Sequence, residues 1–195
     1  NTLKAEDDLK GIIFGDYDKG TLSVDLITEV IVYANINKIP VYVDPKFDNF
    51  YHYKNSSFFK PNRKEASTAL NMKITDETDI VQAGKKLMEI LEPENLLLTL
   101  GSKGMMLFQS NGNISSIPTI ARYISDVSGA GDTAIATLSA AIAGNATPIE
   151  AAMLANFASG AVCERPGVIP ITIELLENAI KKSNNLYLKK IEVKT

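Results

Sequence analysis

Along the first two-thirds of the chain, short apolar runs alternate with helical patterns, and most of the runs end in a polar turn. Leu9–Phe14 reads as a buried strand and leads into Gly15-Asp16-Tyr17-Asp18-Lys19-Gly20. Ser23 is placed to cap a helix whose inner face is Leu26, Ile27, Val30, Ile31 and Ala34. Pro40–Val43 is a second strand, ending in Asp44-Pro45, and Asp48–Tyr53 reads as an irregular aromatic segment. Ser57–Phe59 is a short strand running into Pro61-Asn62-Arg63-Lys64-Glu65, which opens a helix. Asp76–Glu92 is amphipathic, with Ile80, Ala83, Leu87 and Leu91 inward, and Leu96–Leu100 is a strongly apolar strand. Parallel strands need crossovers of this kind, so the alternation predicts an α/β domain. Its mainly parallel sheet is covered on both faces, in three α/β/α layers.

The last third adds a different pattern. Met105–Phe108 and Ile114–Ile117 flank Asn111-Gly112, a hairpin signal that adds antiparallel strands near one edge. Pro148–Glu164 is a helix rich in small residues, with Ala151, Leu154, Ala155, Ala158 and Val162 inward, and Thr172–Ser183 is a last helix before a polar tail. The 195 residues suffice for one domain, and no repeat or linker divides them.

In such sheets ligands bind at the carboxyl ends of the strands. Asp16, Asp44, Asn62, Gly101 and the turn at Gly129 each follow a strand or open a helix. The densest of these motifs is Asp126–Ala136, reading DVSGAGDTAIA. Gly129, Ala130 and Gly131 feed a helix whose inner face is Ile135, Leu138 and Ile142. A helix N-terminus exposes unpaired N–H groups and the positive end of the dipole, a cradle for a phosphate. Gly129 and Gly131 allow close approach and φ > 0. Asp132 beside that cradle suits proton removal from an alcohol during phosphoryl transfer. An Asp in a first turn is also an ordinary helix-start residue, so the motif alone leaves both readings open.

The other motifs divide in the same way. Thr99-Leu100-Gly101-Ser102-Lys103-Gly104 is either a tight turn or a nucleotide loop that lacks Walker A spacing. Asn62 and Glu65 form a capping-box pair, or organise Mg²⁺ and its waters. Lys19 can meet a phosphate as a point charge, and Asp16, Asp44 and Lys46 lie at strand ends that face either substrate or solvent. The net charge of −3 provides no basic field for nucleic acid, and the apolar runs are too short to span a bilayer. One Cys, Cys163, rules out a disulfide within the chain and fits the cytoplasm, and one His, His52, rules out His-rich metal sites.

Taken together, three motifs resemble those of the ribokinase-like (PfkB) carbohydrate kinases. Asp126–Thr133 looks like that family's C-terminal signature, Asn62-x-x-Glu65 its N-x-x-E motif, and Thr99-Leu100-Gly101-x-x-Gly104 its nucleotide loop. The segments SSFFKPNRKEA, VYVDPKFDNFYHY and GDYDKG are similar to the heptose-phosphate kinases within it. The resemblance implies ATP-dependent phosphorylation of the anomeric hydroxyl of a heptose 7-phosphate. It implies Asp132 as base, with the N–H groups of Gly129, Ala130 and Gly131 as the anion hole. It implies that Asn62 and Glu65 order Mg²⁺, with Glu65 acting through water, and that Arg63 and Lys64 adjoin ATP. Thr99, Gly101, Gly104 and Asn156 fall to the nucleotide, Asp16, Lys19 and Asp44 to the sugar phosphate, and Asp126 and Ser128 to a monovalent cation such as K⁺. The family is longer at its N-terminus, where it carries early sugar-binding glycines and a β lid through which relatives pair as homodimers. The chain therefore matches the later part of such a kinase, as one domain over residues 1–195.

Overall fold

The computed structural model describes residues 9–119 and 125–183, together with the backbone of 189–190. Among the described residues, seven strands form one sheet in sequential order: β1 (Ile12–Gly15), β2 (Val41–Asp44), β3 (Phe58–Phe59), β4 (Asn95–Thr99), β5 (Met105–Gln109), β6 (Ile114–Ile117) and β7 (Lys189–Lys190). Pairing is parallel from β1 to β4 and antiparallel from β4 to β7. The helices are α1 (Val24–Ile36), α2 (Arg63–Ala69), α3 (Glu77–Leu91), α4 (Ala130–Ala143), α5 (Pro148–Cys163) and α6 (Ile173–Lys182).

Side chains alternate across a strand, so each buried strand feeds two cores. Val41 and Val43, Leu96 and Leu98, and Met106 and Phe108 point to one side, where they meet Ile27, Ile31, Ile80, Leu87 and Leu91 of α1 and α3. Tyr42, Leu97, Met105 and Leu107 point to the other side, against Ala134, Ile135 and Leu138 of α4 and Ala151 and Ala155 of α5. These are the three predicted layers, with α1, α2 and α3 on one face and α4 and α5 on the other.

The helix starts follow the capping chemistry read from the sequence. The Ser23 hydroxyl accepts from the Leu26 N–H, and Asn62–Glu65 closes a full capping box. Three details differ from the sequence reading. Asp48–Tyr53, read as irregular, contains a 3-10 turn at Phe50–His52, and its Phe50 and Tyr53 are buried in the α1 side of the core. The rings satisfy each other, since Phe50 meets Phe59 edge-on at 5.0 Å. Leu26 is 41% exposed, because Ile27 and Ile31 already fill the inner face of α1. The tail read as merely polar pairs its Lys189–Lys190 backbone with Ser115–Ser116, which extends the sheet.

Tyr42 is fully buried and stacks on Phe58 at 5.8 Å, yet its hydroxyl has no hydrogen-bond partner among the described residues. Burial, with a smaller contribution from Glu94, pushes its pKa up to about 12. The folded value lies above the ordinary 10.0. This contribution to stability is therefore complete below pH 10 and is lost as pH rises toward 12, at up to about 1.4 kcal/mol per pH unit. Tyr42→Phe is expected to raise stability at neutral pH by about 1 kcal/mol and to flatten the alkaline decline. Urea denaturation between pH 7 and 11 measures both effects, and equal pH slopes for the two proteins would contradict the argument.

Candidate active site

The carboxyl ends of β1, β2, β3 and β4 meet the N-terminus of α4. Gly129 caps that helix in the left-handed region at φ 76°, with no side-chain cap, and Gly131 is helical. The Ala130 N–H turns back to the Val127 carbonyl at 3.2 Å. The N–H groups of Gly131 and Asp132 belong to the first turn and have no intrahelical acceptor. Asp132 is exposed on this turn. Asp126 holds the approach in shape. One of its oxygens accepts from the Ser128 N–H at 2.8 Å, the other from the Gly167 N–H at 3.2 Å. The Ser128 N–H, ahead of other hydrogen bonds, holds the Asp126 carboxyl below the usual aspartate range.

Behind the first turn lies a buried ion pair. Lys60, 2% exposed at the end of β3, donates to Asp44 Oδ1 at 2.9 Å. A Cβ placed on Gly131 would lie 3.5 Å from Asp44 Oδ2 and 3.6 Å from Lys60 Nζ. A buried ammonium thus sits against the helix end, where its charge adds to that of the dipole. A second pair lies beside it. Lys46 donates to Glu65 Oε1 at 2.7 Å, while Glu65 Oε2 accepts from the Asn62 N–H at 2.8 Å. Burial works against the charge on Lys46, but the Glu65 hydrogen bond, with Asp44 and Asp132 nearby, outweighs it and raises the Lys46 pKa. Lys46 therefore stays an ammonium at neutral pH.

On the other side of α4 is a cleft of about 150 Å³ lined by Thr99, Gly101, Gly104, Ala130, Gly131 and Asn156, with apolar walls from Met105, Val127 and Ala134. Two separate sequence motifs and a residue of α5 therefore meet in one cavity. Its apolar walls suit the face of a planar base, and its open mouth leaves the ribose and phosphates toward solvent and the start of α4. Asn156, 3% exposed, donates to the Pro118 carbonyl at 2.8 Å and so ties α5 to the segment after β6. Asn62 is bridged to Thr99, which joins the start of α2 to the rim of the cleft.

Arg63, Lys64 and Lys19 are exposed around this end of the sheet. Asp16 is 4% exposed and engaged within the protein: its Oδ2 accepts from Tyr53 at 2.7 Å and from Asn49 at 3.2 Å. Burial alone raises the Asp16 pKa, but hydrogen bonds from Tyr53, the Asp18 N–H and Asn49 outweigh it and leave the net value low. The sequence reading gave no role to Lys60 or Tyr17, and left Lys46 between substrate and solvent. A lysine directly after the buried strand Phe58–Phe59 was the available signal for Lys60. Nothing local marks Tyr17, whose partner is 115 residues away.

Among the described residues, no group of three or more His, Cys, Asp or Glu side chains converges to hold a metal ion unaided. Glu65 offers a buried carboxylate whose oxygens each take one hydrogen bond and keep further lone pairs. That donor suits Mg²⁺ held through its own waters and through nucleotide phosphates.

The sequence profile described as "pfkB family carbohydrate kinase" matches residues 18–174. The chain is 39% identical over 161 residues to the bifunctional protein HldE of Geobacter sulfurreducens, covering 83% of this chain and 33% of that protein. It is 39% identical over 185 residues to the bifunctional protein HldE of Aliarcobacter butzleri, covering 93% of this chain and 38% of that one. It thus spans between a third and two-fifths of the length of these curated relatives. Among solved structures, phosphofructokinase-2 from Escherichia coli in complex with potassium superposes with a TM-score of 0.82 at 19% identity, covering 94% of this chain and 60% of that one. Arabidopsis thaliana ribokinase complexed with ribose and ATP gives 0.73 at 23% identity, covering 82% and 53%. These two likenesses establish the shared three-layer fold.

Proposed function

This chain belongs to the pfkB family of carbohydrate kinases, and from that premise we propose that it transfers the terminal phosphoryl group of ATP to a sugar phosphate in the cytoplasm. The acceptor we propose is the anomeric hydroxyl of D-glycero-D-manno-heptose 7-phosphate, in the synthesis of ADP-heptose for the lipopolysaccharide core. The observation that carries this reading is the junction at α4. One wall of the cleft is Ala130 and Gly131, and the next residue is the exposed carboxylate Asp132. The choice of heptose rests on the likeness of the segments around Asp16, Asp44 and Lys60 and on the HldE relatives.

In the proposed reaction Asp132 takes the proton of the acceptor hydroxyl. The freed electron pair attacks the terminal phosphorus, and the bond to the bridging oxygen breaks to release ADP. The N–H groups at the start of α4 and the Lys60 ammonium stabilise charge on the phosphoryl oxygens. Thr99, Gly101, Gly104 and Asn156 hold the nucleoside, and Arg63 and Lys64 flank its phosphates. Glu65 and Asn62 would hold Mg²⁺ through its waters. When bound, that ion neutralises phosphate charge. Asp126 and Ser128 are the proposed surroundings of a monovalent cation, in keeping with the potassium complex of E. coli phosphofructokinase-2. Lys19 is the proposed contact for the acceptor's own phosphate. Asp44 acts through Lys60, and Asp16 holds its loop.

A second reading, a nucleotide-binding module without turnover, is favoured by one observation. Of the three residues assigned to the sugar, Asp16 is buried and Asp44 is paired with Lys60. ATP turnover with Mg²⁺, measured with heptose 7-phosphate and with a panel of other sugars and nucleosides, decides between them. Stimulation by the heptose phosphate alone is the expected result. Stimulation by a different acceptor would move the chain to another kinase of the family. Saturable nucleotide binding without turnover would select the module.

A further inference from the structure

We infer that Tyr17 is a positioning residue for Asp132, holding one carboxylate oxygen so that the other faces the acceptor. This rests on the reading of Asp132 as the base. The Tyr17 hydroxyl donates to Asp132 Oδ1 at 2.9 Å, linking the loop after β1 to the first turn of α4. Tyr17 is 59% exposed, and an exposed tyrosine on a turn ordinarily wanders. This one is fixed from both sides. The Asp16 N–H donates to the Asp44 carbonyl at 3.1 Å, and the Asp16 side chain is locked by Tyr53 and Asn49 in the core. Asp18 stands at φ 51°, with its N–H bonded to Asp16 Oδ1 at 3.0 Å and its Oδ2 accepting from the Phe47 N–H at 3.2 Å. Two anchored aspartates leave the residue between them little choice of direction. The Tyr17 ring also lies back along Gly15, where a Cβ would meet it at 3.6 Å. A left-handed non-glycine residue is strained and persists only where its surroundings hold it. Here what that conformation accompanies is the aim of a phenol at a carboxylate.

A carboxylate free to rotate presents either oxygen, and a base gains from being fixed in one orientation before the substrate arrives. The Tyr17 hydroxyl supplies that fixity and leaves Oδ2 for the acceptor's proton. It serves as a donor only while protonated. The hydrogen bond to Asp132, with burial and the charges of Asp132 and Asp44 against an opposing Lys46, raises its pKa, so it stays protonated throughout the working range.

Two measurements on the full chain test this. Tyr17→Phe is expected to lower kcat about tenfold, the scale of a lost hydrogen bond to a charged group, with the KM values for ATP and acceptor unchanged. In the Asp132→Asn background it should cost nothing further. Independently of turnover, the ultraviolet titration of the seven tyrosines should show one phenol ionising at lower pH in Asp132→Asn than in the parent. That difference should vanish when Tyr17 is already Phe. A parental kcat in Tyr17→Phe, or a tyrosine titration indifferent to Asp132, would overturn the inference. If the parent itself shows no turnover, the kinase reading fails, and the titration still decides whether Tyr17 and Asp132 are coupled.

Discussion

Replacing Asp132 with Asn is expected to lower kcat by about 10²–10⁴-fold, the range for removal of a general base, while leaving Mg-nucleotide affinity unchanged. The substitution keeps the size of the side chain and an oxygen to accept the Tyr17 hydroxyl, so the first turn of α4 has no reason to move. What disappears is the capacity to take a proton. Nucleotide affinity should be spared because the cleft is lined by Thr99, Gly101, Gly104, Ala130, Gly131 and Asn156, and Asp132 is not among its walls. Steady-state kinetics with the acceptor, paired with calorimetric nucleotide titration, separates the two quantities. Equal activity would remove Asp132 from the mechanism. A parallel loss of nucleotide affinity would mean that the carboxylate organises the phosphate site instead.

The second large effect is structural. Gly104 sits at φ 87° and closes the turn between β4 and β5, where the Leu100 N–H donates to its carbonyl at 2.8 Å. A Cβ there would lie 2.1 Å from the Ile117 carbonyl oxygen and 2.6 Å from the Thr119 nitrogen. Both obstacles are backbone of the chain leaving β6, which cannot rotate aside as a side chain could. Strain in the left-handed region costs about 1–3 kcal/mol, and overpacking about the same again. Gly104→Ala is therefore expected to lose about 2–6 kcal/mol, a large part of the 5–15 kcal/mol typical of a domain. It should also weaken nucleotide binding, because Gly104 and Thr119 both border the cleft. Gly112 in the hairpin has a similar φ of 86° with open space around its Cβ position. Gly112→Ala should therefore show only the cost of φ. Urea denaturation of the two variants side by side tests the distinction, and equal losses would refute the steric argument.

Much of the architecture was legible because its causes are local. The short apolar runs at β2, β4 and β5 mark strands buried on both faces, because a strand covered on both sides needs apolar residues at every position. The capping pairs at Ser23 and at Asn62–Glu65 are three residues apart, so their hydrogen bonds can be read from spacing. The glycine turn before Asp132 was legible for the same reason. The aromatic segment at Asp48–Tyr53 was not, because burial of Phe50 and Tyr53 depends on meeting Phe14 and Phe59 from other strands.

By itself, then, the sequence determined the order of β1 to β6 and of the helices, the caps at Ser23 and Asn62–Glu65, the glycine-rich start of α4 and the placement of polar motifs at strand ends, all of which follow from short-range geometry. Only the tertiary structure decided which charges meet. Lys60 finds Asp44 across 16 residues, Lys46 finds Glu65 across 19 and Tyr17 finds Asp132 across 115. Parallel pairing brings the ends of distant strands to one edge. Electrostatic and hydrogen-bonding energies depend on separation in space, and no spacing along the chain encodes that separation.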